Sequence, residues 1–151
     1  MTRTRLILLA AGGSLALLAG AFVFQALGYA PCKLCIWQRW PHGIAIAIGG
    51  IALVKSLGWL PWVGALAALT TAGIGVFHAG VELRWWPGPD TCTSSGDLAG
   101  SAEDLLNQIM AAPLVRCDEV AWMFAGLSMA AWNAILSFAL AALWIAAARR
   151  T

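Results

Sequence analysis

Four cysteines carry the chemistry that this sequence can offer: Cys32 and Cys35 in the run Cys-Lys-Leu-Cys, then Cys92 and Cys117 much further along the chain. A bond across Cys-x-x-Cys closes so small a ring that it removes little chain entropy, so its value lies in reactivity rather than stability. A thiol in the first turn of a helix is stabilised as thiolate by the positive helix end. Arg39 follows Cys35 by four residues, on the same helical face, and adds a fixed cation. Cys35 is therefore the sulfur best placed to act as a nucleophile.

Three blander readings compete. A four-cysteine zinc site normally joins Cys-x-x-Cys to a second close doublet, which Cys92 and Cys117 do not form, so no metal is expected. A bond between Cys92 and Cys117 alone would read as a structural staple, and Arg39 alone as a snorkelling interfacial residue. The combination favours redox chemistry. All three disulfide pairings of four cysteines remain open at this point.

The elements that must position these groups are membrane spans. The 151 residues are 61% hydrophobic and 11% charged, with a mean hydropathy of +0.79, far too apolar to coat a soluble domain. A net charge of +2 with no cluster of Lys/Arg argues against binding nucleic acid. Charge-free runs cover Leu6–Cys32, Trp40–Val54, Ser56–Val81 and Val120–Ala148. A span needs about 20 apolar residues, so the second run crosses only if its helix begins near Cys35 and takes in Arg39. The reading is one all-α integral membrane domain over 1–151, a four-transmembrane-helix bundle with helices at about 6–27, 35–57, 62–81 and 122–148. The first run is too long for a cleaved signal peptide and is expected to remain.

Four spans put both termini on one side. Arg3, Arg5, Lys55, Arg149 and Arg150 share that side, which makes it the cytoplasm. The outer loops are then about 28–34 and 82–121, and every cysteine lies at or beyond the outer surface, where disulfides persist. Most tryptophans, Trp40, Trp59, Trp62, Trp85, Trp86 and Trp122 among them, fall near span ends as an interfacial belt. In the second loop, Leu105, Leu106, Ile109 and Met110 oppose Glu103, Asp104, Asn107 and Gln108, which predicts a short amphipathic helix capped by Ser101 and stopped by Pro113. No ring of charge or filter sequence suggests a channel.

The run Cys32-Lys-Leu-Cys35-Ile-Trp-Gln-Arg39 resembles the CxLCxx(Q/E)R signature of the bacterial disulfide bond formation protein B family (DsbB). His78 to Cys92, with Trp86-Pro87-Gly88-Pro89 before Thr91, is similar to that family's third helix and loop entry, and Trp122 to Trp132 to its fourth-helix opening. The resemblance implies a quinone-dependent protein-disulfide oxidoreductase of the bacterial inner membrane, with periplasmic cysteines. It implies that a DsbA-like periplasmic oxidase of thioredoxin fold is reoxidised through Cys92 and Cys117, then Cys32 and Cys35, to ubiquinone or menaquinone in the lipid bilayer. Arg39 and His78 would bind the quinone. His42, one turn past Arg39, matches nothing comparable, and Pro41 threatens the regularity of the second helix.

Two alternatives differ in class. A vitamin K epoxide reductase-like enzyme also joins Cys-x-x-Cys to a quinone in four helices, but its redox pair is expected after the loop cysteines. A four-span structural protein would use a loop disulfide only to hold shape.

Overall fold

The computed structural model describes residues 1–89, 101, 103 and 115–150. Four helices dominate it: α1 (Arg3–Ala26), α2 (Lys33–Val54), α3 (Leu60–Glu82) and α4 (Met129–Ala148). Side chains satisfy orphan N–H groups at three of the four starts. The Thr2 hydroxyl accepts from the Arg5 amide, the Cys32 sulfur from Cys35 and the Ser128 hydroxyl from Ala131. The fourth start, α3, has Pro61 in its first turn, where a missing N–H costs nothing.

Each helix packs on its neighbours in chain order and α4 closes back on α1, so the bundle is square and the diagonals barely meet. The packing faces are made of small residues. Ala10, Ser14, Ala45, Gly49, Ala68, Thr71, Ala134 and Ser137 are buried, while Leu8, Leu15, Phe22, Ile44, Ile51, Leu66, Leu69 and Phe138 are exposed. That inversion of the soluble pattern is how helices associate in lipid, where apolar bulk gains nothing by facing inward and close backbone approach does. Three helices, α1, α3 and α4, are long and apolar enough to cross a membrane.

The expected helix bounds shift at several ends. α1 begins three residues early, because Thr2 caps it. α2 runs 33–54 instead of 35–57, since Cys32 is its cap, and it passes through Pro41 without interruption. The last helix begins at Met129, not 122. The residues before it form a hairpin, β1 (Met123–Phe124) paired with β2 (Leu127–Ser128), turning at Ala125 and Gly126 with φ of 51° and 78°. Two consecutive left-handed residues are what a tight hairpin turn demands. The amphipathic helix expected near 101–113 falls outside the described residues, apart from Ser101 and Glu103.

At the core, Trp144 is fully buried and its ring lies across Gly64. A Cβ built on Gly64 would stand 2.6 Å from that ring, whereas one on Gly73, in the same helix, meets nothing within 4 Å. Gly64→Ala is therefore expected to destabilise by about 1–3 kcal/mol through overpacking. Gly73→Ala should be neutral or stabilising by up to about 1 kcal/mol through backbone entropy. Thermal unfolding midpoints in detergent check this: Gly64→Ala should fall below the parent, and Gly73→Ala should match or exceed it.

Candidate redox site

Cys32 sits at the N-terminal end of α2 and Cys35 one turn in, with their sulfurs 2.7 Å apart. Among the described residues both are free thiols. Cys32 is 5% exposed, and the hydrogen bond with Cys35 first, then burial, holds its thiol above its ordinary value.

Cys117 is disulfide-bonded and 1% exposed, and it packs in one buried cluster with Cys32, Leu34 and Val81, against which Cys35 also lies. Flanking Cys117, the Arg116 guanidinium forks onto Asp118 at 2.9 and 2.8 Å in an exposed local ion pair. On the other side, Trp86 anchors the exit from α3: its indole donates to the Phe77 carbonyl at 2.9 Å, and its ring stacks on Phe77 and lies against Gly80, where no side chain would fit. Cys92 lies outside the described residues.

His78 is 4% exposed on α3, with Nε2 3.5 Å from the Cys32 sulfur and 3.8 Å from Glu82 Oε1. Its tautomer follows from its neighbours. Gln38 Oε1 accepts from Asn133 Nδ2 at 2.7 Å, which turns the Gln38 amide nitrogen toward the Leu34 carbonyl at 3.1 Å and toward His78 Nδ1 at 3.0 Å. Nδ1 therefore accepts, and Nε2 carries the proton toward Cys32 and Glu82. The chain continues inward, because Asn133 Oδ1 accepts from His42 Nε2 at 2.9 Å and Asn133 Nδ2 also reaches the Thr71 hydroxyl at 3.2 Å. Three helices are thus tied by one polar network under the thiol pair, a costly arrangement in an apolar bundle unless every member is paired.

Arg39 shares a cleft of about 280 Å³ with Cys35, His42, His78 and Glu82. Its guanidinium is turned toward α1, donating to Gln25 Oε1 at 2.6 Å and the Ala21 carbonyl at 3.4 Å, with Phe22 beneath it at 4.8 Å. Its buried Nε–H has no partner among the described residues. Gln38, Asn133, Arg116 and Glu119 also line it, and most of the other wall is apolar, with Leu17 and Phe24 from α1 and Leu136 from α4. An apolar cleft with a few convergent polar groups is the usual form of a small-molecule site.

The family model for Disulfide bond formation protein DsbB matches residues 3–147. The chain belongs to that family. Among relatives named Disulfide bond formation protein B, that of Verminephrobacter eiseniae is 33% identical over 97% of this chain and 85% of its own length. The one from Polaromonas naphthalenivorans is 32% identical over 85% of this chain and 81% of its own. No solved structure matches. Family membership makes the protein a membrane oxidoreductase acting on disulfide bonds.

The structure brings five of the six expected site residues, Cys32, Cys35, Cys117, Arg39 and His78, to one end of the bundle, and the sixth is Cys92. Sequence reading missed Thr71 and Asn133, weighed Gln38 only as a signature position, and considered Glu82 only as a partner for His78 one turn on. The available signal was polarity itself: an Asn within an apolar helix is costly in lipid and marks a site unless a partner explains it.

Proposed function

We propose that the protein reoxidises a DsbA-like dithiol oxidase of thioredoxin fold, passing two electrons through a Cys92–Cys117 disulfide and the Cys32–Cys35 pair to membrane quinone. The observation that carries this reading is the shared burial of Cys117 and Cys32, with Cys35 opening on the apolar cleft. Disulfide exchange needs sulfurs that can approach in line, and neighbours in one packed cluster need little motion to do so. In the forward direction, a thiolate of the reduced oxidase attacks at Cys92 and forms a mixed disulfide. The second oxidase thiol then displaces Cys92, leaving the oxidase oxidised and Cys92 and Cys117 reduced. Cys117 next attacks Cys32 of an oxidised Cys32–Cys35 pair, which releases Cys35 as thiolate beside the cleft. Cys92 completes the transfer by displacing Cys117 from Cys32, so the electron pair rests on Cys32 and Cys35.

A quinone fits the cleft by the chemistry of its walls. The unpartnered Arg39 Nε–H offers a donor to a carbonyl oxygen, and apolar side chains of α1 and α4 suit the ring and tail. Such an acceptor supplies the sink for two electrons and two protons. Arg39 would hold an oxygen and offset its developing charge, and His78 Nε2–H would steady the sulfur of Cys32.

α2 supports a fourth span. Its 22 residues reach about 33 Å at 1.5 Å per residue, and Ile44, Ile51, Leu53 and Val54 face outward. Its one buried-depth cation, Arg39, is turned inward onto α1. Both termini then lie in the cytoplasm beside Lys55, consistent with Arg3 donating to the Leu57 carbonyl at 2.8 Å, and the cysteines face the periplasm of a bacterial inner membrane.

The test is catalytic oxidation of a reduced DsbA-type oxidase by the purified protein with ubiquinone or menaquinone. The expected result is loss of two oxidase thiols per quinone consumed, through many turnovers. Oxidation at the same rate without quinone, or none with either quinone, would overturn the reading.

A further inference from the structure

We propose that the reduced Cys32–Cys35 pair and His78, beside the carboxylate of Glu82, form a site for a thiophilic divalent cation, Zn2+, that locks the dithiol and arrests the cycle. The inference rests on the redox reading above and adds a control to the same pair. Cys32 Sγ, Cys35 Sγ and His78 Nε2 all lie within 4.8 Å of one another. Tetrahedral zinc, with bonds of about 2.3 Å to sulfur and 2.0–2.1 Å to nitrogen, separates a sulfur and a nitrogen ligand by about 3.5 Å. The Cys32–His78 distance is 3.5 Å. The two sulfurs, at 2.7 Å, must part by about 1 Å for the same geometry, and Cys35 is only half-buried.

Glu82 supplies the independent observation. Its side chain is 6% exposed, one oxygen is 3.8 Å from His78 Nε2, and the other, Oε2, has no hydrogen-bond partner among the described residues. A buried carboxylate oxygen without a donor, beside two thiols and an imidazole, is a surplus of electron pairs that a cation relieves. Two thiolates and one carboxylate around a divalent ion leave a single negative charge, and Arg39 in the same cleft offsets it.

Binding is balanced by protons alone. The two thiols release two protons as the metal enters, no electrons move, and the oxidised pair has no thiolate to offer. His78 must also present its Nε2 lone pair, so its proton moves to Nδ1 and the Gln38 amide turns its oxygen to accept it. Metal-bound histidines are commonly held through the other ring nitrogen by such an acceptor, best of all a carboxylate. Gln38 therefore restrains the site, and Gln38→Glu should release it.

The full chain in detergent, reduced, is titrated with Zn2+ against a chromophoric chelator, and with Cd2+ for its thiolate charge-transfer absorbance. One ion per chain should bind with release of two protons. His78→Ala and Glu82→Gln should each weaken it about tenfold or more, and Gln38→Glu should tighten it, a gain that misfolding cannot mimic. Zn2+ should stop turnover and a chelator restore it. Unchanged affinity in both weakening variants, or equal binding by oxidised protein, overturns the site. Normal metal-free turnover with no binding sinks this proposal alone, whereas tight binding in a protein with no quinone-dependent turnover supports the site and sinks the redox reading.

Discussion

Cys35→Ser is expected to lower quinone-dependent turnover at least about a thousandfold, the scale seen when a nucleophile is removed outright. The hydroxyl keeps the size of the group and the helix, but it cannot form a bond to the Cys32 sulfur, now 2.7 Å from it. Without that bond Cys32 has no resolving partner, and the cleft loses the thiol that lines it one turn inside α2. One equivalent of reduced oxidase should still be oxidised, because the disulfide at Cys117 does not depend on Cys35. The signature is a stoichiometric burst followed by no further reaction, read by counting free thiols over time. Continued turnover past the first equivalent would put the electron path elsewhere.

Arg39→Ala is expected to slow the quinone half-reaction about a hundredfold while leaving oxidation of the partner thiols nearly unchanged. The asymmetry follows from where the guanidinium lies. It is fixed by Gln25 and the Ala21 carbonyl from α1, with its buried Nε–H unpartnered among the described residues, and it makes no hydrogen bond to either cysteine. Its charge therefore acts on what occupies the cleft more than on the sulfurs. Arg39→Lys should fall between, since an ammonium keeps the charge and loses the planar fork that binds two acceptors at once. Stopped-flow measurement of each half-reaction separates the effects, and equal losses in both would refute the assignment.

Much of this architecture is legible in the chain. Apolar runs bounded by sparse charges mark the helices, because a span must satisfy its own backbone and shed its charges to the ends. The spacing of Cys32, Cys35 and Arg39 marks the site, since two helical turns carry all three to the same end. Cap chemistry was harder to read: a cysteine serving as N-cap moved the start of α2, and the hairpin at Ala125–Gly126 delayed α4, both being local hydrogen-bond choices that periodicity does not report.

By itself, the sequence determined that this is a helical membrane chain with a Cys-x-x-Cys pair near the end of one helix, because hydropathy and short spacings are local properties. Only the tertiary structure decided which distant residues complete the site. Asn133 reaches Gln38 across 95 positions and His78 reaches Cys32 across 46. Those pairings depend on the rotation of each helix about its axis, which is set by small residues such as Gly64 meeting Trp144 at the bundle core.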